Sequence, residues 1–359
     1  MAAFTGQLRS NEIFSALYNM IISQEVFADN LGAHQTLVDK ARVDGGLYGD
    51  TKLYYSTDVL KSVPWGNDAE AANLLALHRP EAPECQAIHL DIFRQICLTV
   101  DNYLSKRAWS TEGAFSSFNS VMLGWMRETK RVYDGTLYNV FIGTTKAAGA
   151  GQTVEVDLSS ASSLTGIEAE RMEGVLIAQK LADLMVAMGD YSRDFNDYGN
   201  LRSYAKDGIK VIWNSKFVNK IRKVDLPTIF HKDGLVDKFE EEILPERYFG
   251  DVQTAGHTSV AGERSIVEKD YTVSGKLTHV FPGDLIPVGA TVAANESYKA
   301  PAKDVICKVL VKLPPYMSAF EVGTSFFNPK SLTENHYLTF GHNTIEYLKN
   351  YPFITVQVK

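Results

Sequence analysis

Three cysteines in 359 residues are too few, and too far apart, to carry this fold. Cys85, Cys97 and Cys307 are an odd number without C-x-x-C spacing, which excludes a disulfide scaffold and points to a reducing place of assembly. No stretch reaches eighteen uninterrupted apolar residues, so a membrane-spanning helix is excluded. The opening MAAFTGQLRSNE has no signal-peptide core, and the expectation is a soluble chain with no membrane partner. No segment is low in complexity. With 22% charged and 45% hydrophobic residues the chain is globular rather than disordered. A basic surplus is also missing: 36 Lys and Arg stand against 43 Asp and Glu, a net charge of −7. Tight duplex binding needs clustered cations to neutralise phosphates, and Lys206 to Lys223, the nearest candidate, is interleaved with apolar positions as a solvated helix face would be.

Signatures of catalysis are scarce as well. Gly149 and Gly151 precede a strand without the Lys and Ser/Thr of a phosphate-binding loop, so they read as a hinge. The eight histidines (34, 78, 89, 231, 257, 279, 336 and 342) include no pair at metal-ligand spacing and no His-Glu-x-x-His run. Asp190, Asp194 and Asp197 follow a predicted helix end, and Glu240 to Glu242 form an acidic run. Both patterns fit solvated surfaces better than paired catalytic carboxylates. No serine lies in a Gly-x-Ser-x-Gly elbow. The expectation is a protein that is not an enzyme and uses no cofactor or metal.

What is present is a clean alternation that runs into a long helix. From Ala87 to Val100, Ile88, Leu90, Ile92, Ile96, Leu98 and Val100 occupy every second position, broken only by Arg94. This predicts one strand of roughly 40 Å at ~3.3 Å per residue. So long a strand is expected to project from its core and to find part of its partner in a neighbouring subunit. Residues 111–142 then place Phe115, Phe118, Met122, Trp125, Thr129, Tyr133, Leu137 and Val140 at steps of three and four, a helix of ~48 Å with Thr111 as its cap and Gly143 as its stop.

Around this pair the chain reads as follows. Residues 10–31 form an amphipathic helix with Ile13, Phe14, Leu17, Tyr18, Ile21, Ile22 and Phe27 on one face. Thr51 to Leu60 reads as a strand that pairs with the one after Ala87 to form a long two-stranded flap, its tip holding His78, Pro80 and Pro83. An isolated hairpin is marginal in water, so Tyr54, Tyr55 and Trp65 are the candidate residues for resting it on a neighbouring subunit. Further on come a strand at 153–158, a helix opened by a Thr165/Glu168 capping box, a strand at 209–213, a short helix from Ser215, a turn-rich β-meander over 250–303, and strands at 305–313, 319–327, 336–340 and 353–358.

The order at residues 87–142, and the stretch LTVDNYLSKRAWSTEGAFSSFNSVMLGWMRETKRVYDGTLYNVFIG (98–143), resembles the major capsid (head) protein of tailed bacteriophages, the Hong Kong 97-type shell fold. The block DGIKVIWNSKFVNKIRKVDLPTIFHKDGL (207–235), with Asn328-Pro329 and the aromatic run 337–340, is similar in layout to the phi-twenty-nine-like podophage head proteins. The resemblance implies an α+β fold with an N-terminal arm at 1–40, an extended β-hairpin loop at 41–98, a peripheral domain with a spine helix at 99–145 and 320–359, and an axial domain at 146–319 carrying an inserted loop at 265–303.

It implies self-assembly, through hexamers and pentamers, into an icosahedral or prolate shell around the viral double-stranded DNA genome, with assembly in the host cytoplasm and residence in the virion. No long charged helix precedes residue 40, so a separate scaffolding protein is implied. Further implied partners are a portal protein, a decoration protein, and packaged DNA held without sequence specificity. An encapsulin-like nanocompartment subunit is the alternative within the same fold, and a hydrolase using Asp190 and Asp194 with a divalent ion is the alternative outside it.

Overall fold

A computed structural model of the chain describes residues 36–45, 51–62, 77, 79–101, 112–144, 152–222, 240–301 and 304–359. The amphipathic segment 10–31, Trp65, His78, Gly149 and Gly151, and residues 228–235 lie outside the described residues. In chain order the elements are α1 (Leu37–Ala41), β1 (Arg42–Asp44), β2 (Lys52–Ser56), β3 (Glu84–Ile88), β4 (Leu90–Asp101), α2 (Glu112–Ile142), β5 (Thr153–Val156), α3 (Ile167–Gly189), β6 (Lys210–Asn214), α4 (Ser215–Arg222) and β7 (Glu240–Leu244). There follow the short strands β8 (Gly250–Thr254), β9 (His257–Thr258), β10 (Arg264–Ser265), β11 (Lys269–Val273), β12 (Lys276–Val280), β13 (Thr291–Val292) and β14 (Ser297–Pro301), and finally β15 (Val305–Leu310), β16 (Tyr316–Asn328), β17 (Thr333–Asn343) and β18 (Phe353–Val358).

The chain divides into two compact units. The first holds residues 1–50, 90–135 and 317–343, and the second 51–89, 136–316 and 344–359. In the first, the strand order is β1-β16-β17-β4. The predicted strand at 87–100 is two strands separated by His89, and the longer, β4, finds its partner within the chain: it pairs antiparallel with β17 from Thr333↔Asp101 to Asn343↔Leu90. Along this length one edge of β4 is paired by β17 of the same chain, and β4 is the last strand of the sheet order. Alternation itself holds, with Ile92, Ile96, Leu98 and Val100 turned inward and Phe93, Gln95, Cys97 and Thr99 exposed.

The predicted helix at 111–142 is α2, and its expected stripe is buried at Tyr133 and Val140 but not at Trp125. Trp125 is 56% exposed, while Met126, Lys130 and Asp134 are buried beside the stripe. An ion pair accounts for the two charged side chains there: Lys130 Nζ lies 3.1 Å from Asp134 Oδ2. Tyr133 packs on Phe340 with ring centroids 5.8 Å apart and shares a 2.9 Å hydrogen bond with His342 Nε2, while the Arg94 guanidinium covers its ring.

The second unit is built on a mixed five-stranded sheet, β5-β18-β15-β6-β7, in which β5/β18 and β6/β7 are parallel and the remaining pairs antiparallel. Its core joins Ile177, Leu181, Leu184 and Met188 of α3 to Val211, Val309, Ile354 and Val356 of the sheet. The capping box expected at Thr165 is absent. Gly166, at φ +64°, occupies the N-cap instead, a backbone region that glycine enters without strain. Residues 250–301 form a β-module with a core of its own: Tyr271, Val280, Ile286, Ala290, Val292 and Tyr298. Its outer hairpin, β11–β12, turns through Ser274 and Gly275, both at positive φ.

Candidate assembly elements

The β2–β3 hairpin is the element on which the contact candidates fall. Its register sets Tyr54 against Gln86 and Tyr55 against Cys85. Strand alternation then sends consecutive residues to opposite faces. Leu53, Tyr55, Cys85 and Ala87 are exposed, with Tyr55 at 65%, while Ser56, Gln86 and Ile88 are buried. Tyr54 and Tyr55 therefore face opposite ways. Tyr54 borders a recess of about 190 Å³ together with Gln86, Tyr198, Lys312, Leu348 and Tyr351, and the Lys312 ammonium lies over the Tyr54 and Tyr351 rings at 5.7 and 5.5 Å. Partial burial pushes the Tyr54 phenol above its ordinary pKa.

The base of this hairpin is fastened to its own unit. Gln86 Nε2 donates to the Tyr347 carbonyl at 3.1 Å, and its Oε1 accepts from the Lys349 N–H at 3.0 Å. Asn200 Nδ2 donates to Ser56 Oγ at 2.7 Å. Asp58 accepts from the Leu201 N–H at 2.9 Å and from Arg193 at 2.7 Å, and these bonds hold its carboxyl down at about 2. Arg202 donates to the Thr57 carbonyl. The described part of the flap is thus a supported element rather than a free one. Gln86, Ser56 and Asp58 were missed from sequence; a polar residue at an inward position of an otherwise apolar strand pair was the available signal.

Each of the aspartate candidates has a hydrogen-bond partner of its own. Asp190 Oδ1 accepts from the Tyr191 N–H, Asp194 Oδ2 from the Ser192 hydroxyl, and Asp197 Oδ2 from the Tyr347 hydroxyl. Glu240 is paired with Lys210 across β7 and β6. Among the described residues, no group of three His, Cys, Asp or Glu side chains is placed to hold a metal ion, and no helix is long and apolar enough to cross a membrane.

On the outer face of the β16–β17–β4 sheet, Val322 and Phe326 of β16 and Phe93 of β4 are exposed, at 44, 61 and 59%. Around them lie hydrogen-bonded polar pairs, Gln95 with Thr339 at 3.0 Å and Thr99 with Asn335 at 2.7 Å. Apolar side chains set in a hydrogen-bonded polar frame resemble the core and rim of a protein–protein contact in composition.

This combination of a supported hairpin, a strand leading on to a long helix, a four-stranded sheet and a mixed-sheet lobe defines a fold found in chains of bacteriophage heads. One is in the capsid structure of Staphylococcus phage Andhra, which aligns over 93% of this chain and 84% of the other at 10% identity with a TM-score of 0.53. A second is in the structure of head fiber and inner core protein gp22 of native bacteriophage P68, over 88% and 82% at 12% identity and 0.54. At such identities the likeness is one of fold. No family model matches the sequence, and no curated protein matches it. The mixed α+β architecture, with few helices and many strands, agrees with the expected fold class at that coarse level.

Proposed function

We propose that this chain is a major capsid protein whose copies assemble, through hexamers and pentamers, into the head shell that encloses a double-stranded DNA genome in the virion. One observation carries the reading: about nine tenths of the chain follows the fold of chains from solved phage heads. In this reading the fold is the Hong Kong 97 type. Residues 1–40 are the arm, 41–98 the extended loop, 99–145 with 320–359 the peripheral domain around its spine helix, and 146–319 the axial domain. Tyr54, Tyr55 and Trp65 are the contact candidates, with Tyr55 foremost because its ring faces away from its own unit.

Several features support the reading without belonging to it alone. Exposed apolar side chains on the hairpin and on the four-stranded sheet would be covered by identical neighbours in a closed lattice. The net charge of −7 suits a wall that DNA touches without adhering. The chain is not an enzyme in this reading. A separate scaffolding protein directs closure in the host cytoplasm, a portal occupies one vertex, and the outer surface is free to take a decoration protein.

The test is co-expression of the chain with and without the scaffolding gene of its own genome, followed by sedimentation and electron microscopy. Closed shells of uniform size, or hexamers and pentamers, are expected with the scaffold. A chain that stays monomeric under every such condition overturns the proposal. Shells that close around a co-purifying enzyme, without portal or DNA, would instead establish the nanocompartment alternative.

A further inference from the structure

The last turn of α2 ends in a buried joint where water has no place to complete the helix, so its final carbonyls must find donors within the protein. Their partners can be followed one at a time. The Gly143 N–H donates to Asn139 O and the Thr144 N–H to Phe141 O, which passes over the carbonyl of Val140 between them. That carbonyl is taken by Lys299 Nζ of β14, at 2.7 Å, and the same amine also reaches the carbonyl of Tyr248. Gly143 O accepts from the Gly250 N–H at 3.2 Å. Thr144 O is taken by Lys308 Nζ of β15, which also donates to Thr355 Oγ1 at 2.6 Å. Lys299 is 1% exposed and Lys308 fully buried.

Glycines allow the close approach. A Cβ at Gly143 would collide with the carbonyl of Tyr248, and one at Gly250 with the Lys299 stem and the Ala300 carbonyl. One at Gly283, at φ +86°, would lie 2.9 Å from the Tyr248 ring and 3.1 Å from Val140 Cγ2. Gly143 therefore does not end the helix as a left-handed cap; it is glycine because backbone from the β-module presses against it. We infer that the module at 250–301 is the C-terminal cap of the long helix, with Lys299 as the positioning residue that fastens it, and not a surface loop added to the lobe. Burial, with Lys308 and Arg264 nearby and only Asp251 opposing, pushes the Lys299 amine well below the ordinary lysine range, yet a neutral amine still has two N–H donors for its two carbonyls. The joint consequently divides the module. The exposed side chains of the β11–β12 hairpin, such as Leu277, are free to change, while the base at 248–250, 283 and 299 is not. This inference does not rest on the shell reading, since it concerns how the chain holds its own helix.

Hydrogen exchange on the full-length chain tests it. Lys299→Met keeps the stem and removes the donors, and is expected to raise exchange at the Gly143, Thr144 and Gly250 amides at least tenfold while β15–β18 amides stay within twofold. His279→Ala, on the outer hairpin of the same module, is expected to leave all three amides within twofold of wild type. Unchanged protection in Lys299→Met, or equal loss in His279→Ala, overturns the inference. Acetylation of the wild-type chain tests the clamp even if Lys299→Met fails to fold. Lys299 should react at least a hundredfold more slowly than exposed Lys312, and comparable rates would overturn the assignment.

Discussion

At the residue scale the first unit is organised around a charge that sequence patterning hides. Asp134 is fully buried on α2, with Lys130 Nζ at 3.1 Å and Arg42 at 3.4 Å, and Lys130 reaches on to Glu321 at 3.3 Å. Removing Asp134 leaves the buried Lys130 with only the half-exposed Glu321 carboxylate, which is worse than removing both partners. Asp134→Ala is therefore expected to cost about 2–3 kcal/mol in urea unfolding, and the double change Lys130→Met with Asp134→Leu less. A single change costing under about 1 kcal/mol would show that the pair is not what holds α2 on its sheet. In the second unit, Tyr138 is fully buried, donates to the Pro314 carbonyl at 2.9 Å and meets the Tyr316 ring edge-on. Tyr138→Phe keeps the packing and strands that carbonyl, so a loss of about 1–3 kcal/mol is expected, against about 3–5 for Tyr138→Ala. Equal losses in both would assign the whole effect to the hydrogen bond, and no loss in Tyr138→Phe would assign it to packing.

At the scale of elements, the hairpin and the histidines carry the next expectations. Gln86→Ala breaks the bonds to Tyr347 and Lys349 and should speed exchange of the β2 and β3 amides by about five-fold for each ~1 kcal/mol lost, with the β4–β17 ladder unchanged. Titration should separate the units. The hydrogen bond to Glu263 raises the pKa of His257 above 6.5, and the one to Asp270 raises that of His279. His257 therefore stabilises the β9 side of the β-module and His279 its outer hairpin fully below pH 6.5, and each contribution is lost as pH rises through the folded value. Burial lowers the pKa of His342 in the first unit, so its contribution is present above pH 6.5 and lost as pH falls through its folded value. Exchange measured from pH 5 to 9, corrected for intrinsic rates, should show the module loosening at the alkaline end and the His342 region at the acid end. Matching trends in both regions would remove this account.

Legibility in the sequence follows the same physics. The alternation of β4 and the three-four spacing of α2 are local patterns, and both elements are found where expected. The short strands β9, β10 and β13, two residues each, carry no period and exist only through partners such as Ser265↔Tyr298 and Val292↔His257. The turn-rich composition marks the module's start near Gly250, but the pairing of its strands is hidden for that reason. Lys299 and Lys308 look like surface residues until the helix end they serve is known. Tyr54 and Tyr55 stand out in the sequence as adjacent aromatics; their opposite facing becomes visible only once β2 has a register.

For the whole molecule, under the proposed shell reading, the question is which exposed apolar groups would serve assembly and which are incidental, since folded surfaces always carry some. Tyr55 offers the sharpest test. Its ring is 65% exposed on the face of the hairpin turned away from Gln86, so removing it should leave the isolated chain's stability almost unchanged. At an interface the same ring would be a candidate anchor, and truncating an anchor typically costs about 2–4 kcal/mol of association. Tyr55→Ser is therefore expected to unfold at the wild-type denaturant midpoint while raising the concentration needed for shell formation by on the order of tenfold or more, one decade for each 1.4 kcal/mol. Leu277→Ser, at the tip of the outer hairpin and 63% exposed, is the matched comparison, because the cap inference leaves that tip free to vary. Light scattering of scaffold-assisted assembly across a dilution series distinguishes the two. A loss with Tyr55→Ser alone places the contact on the hairpin face. An assembly threshold unmoved by Tyr55→Ser, with folding intact, would leave the exposed face of the four-stranded sheet, through Phe93 and Phe326, as the surface to which the lattice contact must be reassigned.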